Sequence, residues 1–598
     1  MPTRIDGYAF LSDTESSALI GIDGSVDWFT APRFDSPACF AALLGTERHG
    51  RWLLTPVAPV VEVRRRYRPG TLVLDSEVRT EHGLVRISEC MPIRRDDRVD
   101  LIRQVEVVEG RVPMRTELVA RMDYGSVVPL VRRCEQGVRF VAGPDSLTLS
   151  TPIELDLGPG AISAEFDPEP GRPVGFCLAW SPSYHDIPGE VDVGMELREA
   201  QRWWERWSSQ RTTFAVHDDD IAASLVVLKG LTFAPSGGIV AAATTSLPEQ
   251  IGGERNWDYR YSWLRDATFA LTSLRDAGFT EEAASWRDWL LRAVAGTPDR
   301  IQVVYGPCGE RRLHERELPW LPGHRSSGPV RVGNQAHTQL QLDVYGEVLD
   351  ALNEAELVSG HPDAWSVGRE IAETARRRWR HPDDGIWEVR GRERHFTHSK
   401  VMAWVALDRA IAIAGRVQDV DDRQVARWRH EREQIRAEVL ERGVDDDGVF
   451  VQELDGTALD ASLLLVPLVG FLPADDPRVE ATTDAIAHRL SDRGFVRRYD
   501  PDEVDDGVGG DEGAFLLCTL WLAEVRAQQG RLDEAEEIFE RVLGVRNDVG
   551  LLSEMCDPRT GELLGNLPQA FSHTGVVATG VALSRQHAGE TNQAPRRG

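Results

Sequence analysis

The chain has 598 residues, too many for one hydrophobic core, since cores stop growing beyond roughly 250 to 300 residues, so two large domains are expected. Its 96 acidic residues against 68 lysines and arginines give a formal net charge of -28, and the acids are dispersed among arginines, which argues against nucleic acid or an anionic membrane as partner. Seven scattered cysteines fit buried free thiols in a reducing compartment better than a disulfide framework.

Met1 to Gly7 lead into no apolar signal segment, and no window reaches the roughly 18 apolar residues of a membrane span, so the chain as given reads as cytoplasmic. Up to about residue 190 the pattern has period two, as over 71–78, 83–88 and 101–107, with turns between. Antiparallel strands with one wet face give this signature, and the series predicts an N-terminal antiparallel β-sandwich over 1–190. Glu109-Gly110-Arg111 fits a hairpin turn.

The period becomes helical through Met195, Leu197, Trp203 and Trp204, so 191–218 reads as a linker carrying a helix. Twelve helices are then expected, at 220–233, 262–276, 280–296, 334–355, 363–379, 398–415, 424–441, 457–469, 477–490, 511–528, 531–544 and 570–585. Twelve in series can close as six inner and six outer helices, an all-α (α/α)6 barrel over 219–586, with the inner ones more apolar, as 458–466 is. A helical solenoid is the rival, but no repeated residue template is visible. The tail 587–598 reads as disordered.

Polar and aromatic residues concentrate in the connections. The segment 252–267 packs two tryptophans, two tyrosines, three arginines and three acids into sixteen residues. Such a set is costly to bury unless a polar ligand satisfies it, as in a sugar site, or unless it forms an ion-pair layer joining two domains. Asp266 near a helix start also suits the helix dipole alone. In 381–391, Glu388 lies between Trp387 and Val389, an apolar setting that favours the protonated carboxyl a general acid needs, although a structural glutamate fits equally. In 551–561, Glu554 follows an apolar pair and precedes a turn, which it either braces or overlooks from a barrel mouth. Two carboxylates hydrolyse a glycosidic bond with retention at a separation of about 5 Å, or with inversion through a water at about 6.5 to 9.5 Å.

These stretches, with 16–28, 32–36, 510–518 and 565–573, closely resemble the bacterial glucoamylase-like glycoside hydrolases of family 15, which include glucoamylases, glucodextranases, isomaltose-releasing glucohydrolases and bacterial trehalases. The resemblance spans almost the whole chain. It implies a β-sandwich, a linker and an (α/α)6 barrel, with inversion at the anomeric carbon and neither metal nor cofactor at the chemical step. It places the general acid at Glu388 in Ile-Trp-Glu and the general base at Glu554 in Ser-Glu-Met. Arg265 and Asp266 match the pair gripping the terminal glucose, Tyr259 a tyrosine near the catalytic water, and Arg498 an arginine holding that glucose across the cleavage point. Trp387 would wall the site, and Trp263 and Trp320 are taken as further substrate-binding aromatics.

The chain departs from fungal starch-degrading members, whose tryptophan-rich region is replaced by 320–331, which puts long starch chains in doubt. The implied partner is a small oligosaccharide, and a homodimer is compatible with the sequence. Short α-glucosides remain, with isomaltose and α-1,6-linked oligosaccharides favoured by a short leaving-sugar pocket. The alternative is an α,α-trehalase of actinobacterial type, since such enzymes carry segments very similar to 309–313, 395–400 and 568–573. Some depend on phosphate, for which His395, His398 and Lys400 are candidate ligands, unless they cap and orient a helix. A phosphorylase would need no second glutamate, and a non-catalytic sugar binder would keep the aromatics and lose one of the two. No phosphate-loop, zinc-hydrolase, Cys-x-x-Cys or nucleophile-elbow motif occurs.

Overall fold

The computed structural model describes residues 3–296, 298–353, 363–417 and 420–588. Two eight-stranded antiparallel sheets fill the N-terminal part. The first runs Tyr8–Ser12, Ser17–Gly21, Ser25–Thr30, Arg51–Pro56, Met114–Val119, Ala161–Phe166 and Asp156–Gly158, with Ala38–Phe40 added beside Ser25–Thr30. The second runs Leu130–Cys134, Gly137–Ala142, Asp145–Ser150, Val174–Pro182, Val99–Gly110, Gly83–Cys90, Leu74–Thr80 and Val60–Tyr67.

The strands of the first sheet nearest the N-terminus are buried on both faces, which is why they read as continuous apolar runs. Ala9, Leu11, Ala18 and Ile20 join the core between the sheets, while Tyr8, Phe10, Leu19 and Trp28 join the core of the helical part. Strand Val99–Gly110 does not turn back at 109–111: the chain crosses there to the other sheet, at Met114–Val119. Period-two reading cannot tell a hairpin from such a crossing, because both need only a break in the alternation.

Helix α1, Val193–Ser208, begins where the Asp192 carboxylate accepts the Met195 N–H at 2.9 Å. Among the described residues, twelve α-helical elements follow: α2 Asp218–Gly230, α3 Leu264–Asp276, α4 Thr280–Val294, α5 Asp343–Asn353, α6 Ala364–Arg378, α7 Thr397–Ala414, α8 Asp422–Arg442, α9 Leu465–Leu468 (entered through the 3₁₀ turn Ala461–Leu464), α10 Pro477–Arg489, α11 Leu516–Gln528, α12 Leu532–Leu543 and α13 Ala570–His587. They alternate outer and inner. Outer α8 buries only the stripe Val425, Trp428, Ile435 and Val439, whereas inner α7 is buried around most of its circumference. The inner ring closes, α3 on α5, α5 on α7, α7 on α9, α9 on α11, α11 on α13 and α13 on α3, which excludes an open solenoid.

Three helices begin later than their periodicity suggests. The segment read as helical from 334 starts at Asp343, because the Leu340 and Leu342 N–H groups are captured by Asp384 and Asp383, each at 2.9 Å. The segment read from 511 starts at Leu516, because Ala514–Phe515 pairs with Met555–Cys556. The element read over 457–469 is the 3₁₀ turn and single α turn at 461–468. The tail read as disordered from 587 begins later, because His587 still closes the last helix, and its residues from 589, like the end of the helix read over 334–355, lie outside the described residues.

All seven cysteines are free, but Cys308 is exposed and Cys134 half-buried. Among the described residues no helix is long and apolar enough to cross a membrane.

Candidate active site

Each outer helix passes to the next inner helix through a connection that ends at the inner helix's N-terminus, and these connections converge. The strand Ser262–Trp263 leads straight into α3, which puts Arg265 and Asp266 in its first turn. Glu388 lies between α6 and α7, Arg498 between α10 and α11, and Glu554 between α12 and α13. Together with Tyr259, Trp263, Trp387, Phe515 and Phe571 they line one cavity.

The motif 252–267 is sorted by backbone alternation. Asp258 and Arg260, fully buried and paired at 2.7 Å, turn toward the sheets, where Arg260 donates to the Ser36 carbonyl at 2.9 Å and the Tyr124 hydroxyl at 2.8 Å. Tyr259 and Trp263 turn to the cavity, ring centroids 5.4 Å apart and edge-on. The ion-pair layer of that motif therefore rests on Asp258 and Arg260, which leaves Tyr259 and Trp263 to the cavity.

Glu388 adopts φ +59, in the left-handed region, with its N–H on the Gly385 carbonyl at 3.1 Å. Such a conformation costs a non-glycine residue about 1 kcal/mol or more, and strain of this kind gathers at functional sites. The turn separates Glu388 from its neighbour. The Trp387 indole N–H donates to Asp460 at 3.0 Å, while Glu388 Oε1 accepts from the Trp263 indole at 2.8 Å and lies 3.6 Å from Arg265 Nη2. The carboxyl thus faces donors, not the apolar side chains that flank it in sequence.

Arg265 donates to the Ile386 carbonyl and, at 3.1 Å, to Asp266, and it stands 4.7 Å from the Phe571 ring. Burial pushes Asp266 up to about 6 against that arginine. Glu554 is 3 % exposed, and its Oε2 has no hydrogen-bond partner among the described residues. Burial first, then the Glu249 carboxylate, push its pKa well above the ordinary range, while Arg498 and the Tyr259 hydroxyl oppose.

Arg498 is held by Glu512, with Nε to Oε1 at 3.0 Å and Nη2 to Oε2, and more weakly by Glu249 at 3.4 Å. Burial pushes Glu249 up to about 7. Behind it Arg255 grips Asp506 with two bonds of 2.7 and 3.1 Å, and the Tyr499 hydroxyl donates to the same carboxylate at 2.5 Å. Despite burial, these donors hold Asp506 below its ordinary range.

A second cavity adjoins the first through shared walls, Tyr259, Trp387, Glu388 and Arg498, and is completed by Glu249, Arg255, Trp257, Asn334, Gln339, Arg390 and Asp506 among others.

Eight of the nine residues singled out from the sequence line the first cavity. Trp320 is placed elsewhere: it lines neither cavity, is 42 % exposed, and donates its indole N–H to the Tyr124 carbonyl at 3.0 Å. The start of its segment lies against the N-terminal part, with the Gly323 N–H on the Leu44 carbonyl at 3.0 Å, while Ser327 to Arg331 bond to the loop before α3, as where the Gly252 N–H donates to Ser327 Oγ at 2.8 Å. Nor do His395, His398 and Lys400 converge on an anion site. Lys400 Nζ donates to the Trp379 and His381 carbonyls at 2.7 and 2.6 Å, and burial lowers His398 to about 3, so it is neutral. Glu249, Gln339, Arg390, Asp506 and Glu512 were assigned no role from sequence. Glu512 lay inside a segment whose family pattern was recognised, but only the fold shows that it holds Arg498.

Residues 215–581 match the family model described as glycosyl hydrolases family 15, and residues 1–159 match one described as trehalase-like, N-terminal. Relatives named trehalase include one from Mycolicibacterium smegmatis, 38 % identical over 607 residues and covering 96 % of this chain and 90 % of the relative. Another, from Thermoplasma acidophilum, is 33 % identical over 570 residues, covering 94 % and 97 %. In fold, the chain is similar to a bacterial glucoamylase solved with acarbose, with a TM-score of 0.74 at 12 % identity, covering 98 % of this chain and 94 % of that one.

Proposed function

We propose that this chain, which belongs to glycosyl hydrolases family 15 and is therefore a glycoside hydrolase, cleaves α,α-trehalose into two glucose molecules with inversion. The observation that carries the reading is the sharing of walls: Glu388 borders both cavities, whereas Glu554 borders only the first. A proton donor to the glycosidic oxygen belongs between the two sugars, and a base for the attacking water belongs behind the terminal one. Isomaltose, favoured on the sequence by a short leaving-sugar pocket, gives way to trehalose because relatives matching nearly the whole chain carry the name trehalase.

The terminal glucose enters the first cavity, fixed by Arg265 and Asp266, and the leaving glucose occupies the second. Protonated Glu388 gives its proton to the bridging oxygen as the C1–O bond breaks. Water adds to C1 from the opposite face and loses a proton to Glu554, whose ionised form is favoured by Arg498 and the Tyr259 hydroxyl and is made strongly basic by burial, which leaves that glucose as the β anomer. Trp263 and Arg265, both at Glu388, stabilise the carboxylate left when the proton has gone. The Tyr259 hydroxyl, on the wall of the same cavity, favours the ionised form of the base.

Glu388→Gln and Glu554→Gln test the assignment, each with circular dichroism to check the fold. Glucose release from trehalose should fall by at least about 10²-fold in either variant. Near-normal turnover in one of them removes that glutamate from the chemistry.

A further inference from the structure

Two residues beyond Glu388, Arg390 projects into the wall of the second cavity. Its guanidinium is fixed on two sides: Nη1 and Nη2 donate to the two oxygens of Glu315 at 3.0 and 2.7 Å, and Cζ lies 4.0 Å from the centre of the Trp257 ring. Arg331 lies over the same ring at 4.6 Å, with Nε 3.8 Å from Glu315. Trp257 is therefore already engaged by guanidinium groups, and this wall presents charged donors where an aromatic platform for a further sugar would have to be free. Of the five N–H donors of Arg390, two are spent on Glu315.

The backbone around Arg390 is as firmly held as its side chain. The Arg390 N–H bonds to the Asp506 carbonyl at 2.8 Å, and Gln339 Nε2 donates to the carbonyls of Glu388 and Val389 at 3.2 and 3.1 Å. The loop that carries Glu388 thus carries a rigid donor into the neighbouring cavity, at a separation set by two clamped peptide units.

We infer that Arg390, held by Glu315 against Trp257, hydrogen-bonds hydroxyls of the leaving glucose and is the residue that selects a one-sugar leaving group. The inference rests on the two-cavity reading of the site. By binding the leaving sugar from the loop that bears Glu388, Arg390 registers the bridging oxygen against the acid, and by closing the wall it disfavours a longer chain beyond that sugar.

The test compares trehalose with α-glucosyl fluoride, whose leaving group needs no sugar in the second cavity. In Arg390→Ala, kcat/KM for trehalose should fall at least about tenfold more than kcat/KM for the fluoride. Equal losses on the two substrates, or no loss on trehalose, would overturn the inference. Should Arg390→Ala fail to fold, Arg390→Lys carries the test, since it keeps a charge but loses the planar fork, and the same inequality is expected in smaller degree. If the wild type cleaves isomaltose and not trehalose, the substrate reading fails by itself, and the isomaltose-to-fluoride comparison still decides the role of Arg390.

Discussion

Replacing Gly565 by alanine would aim a single carbon at the base. Gly565 has φ +77, and a Cβ built on it lies 2.9 Å from Glu554 Oε2 and 3.0 Å from Glu554 Cβ. Unstrained contacts begin at about 3.5 Å, so the glutamate has to give by about half an ångström. Alanine held in the left-handed region costs about 1 kcal/mol. A misplacement of about 1 Å can cost about 10²-fold in rate, so half that displacement corresponds to about tenfold in kcat. The stability loss, about 1 to 2 kcal/mol, moves the melting temperature by only a few degrees in a protein of this size. Kinetics of glucose release from trehalose, read beside a thermal melt, separate the two effects. A folded Gly565→Ala enzyme with unchanged kcat would refute the placement of Glu554 as the base, or show slack around it that the structure does not contain.

Stability should depend on pH through Glu249, whose pKa is raised by burial from 4.5 to about 7, so the folded state keeps a proton that the unfolded chain releases. Its contribution is complete below about pH 4.5 and is lost as pH rises through 7, and Glu249→Gln should make the fall of urea-unfolding midpoints across that window shallower without abolishing it, because buried Asp266, Asp343 and Asp383 are raised into the same range; an unchanged slope would contradict it. Proton NMR should show α- and β-glucose in equal amounts in the first moments of trehalose hydrolysis, before mutarotation shifts the ratio, and β-glucose alone from α-glucosyl fluoride; an initial α product from the fluoride would mean retention and a shorter carboxylate separation.

Legibility differed by the kind of signal involved. The alternation of outer and inner helices was readable because the outer ones keep a wet face, as α8 does, while the inner ones carry apolar residues around most of their circumference, as α7 does over Val401–Leu407. Helix starts at the cavity were not, because Leu340, Leu342 and Ala514–Phe515 bond to partners far along the chain, which periodicity does not encode. The two glutamates, Arg265 and Asp266 stood in recognisable motifs. Glu249, Glu512 and Asp506 looked like ordinary acids until the fold gathered them around Arg498 and Arg255. Trp320 misled because a tryptophan beside a variable loop resembles a sugar platform, whereas its indole is spent on the carbonyl of Tyr124.

The most direct test of the central claim is initial glucose release from trehalose and from isomaltose, side by side, with and without phosphate. The account predicts kcat/KM for trehalose at least about tenfold above that for isomaltose. Preference for isomaltose would contradict it and make this chain an exo-acting 1,6-glucosidase of the same family.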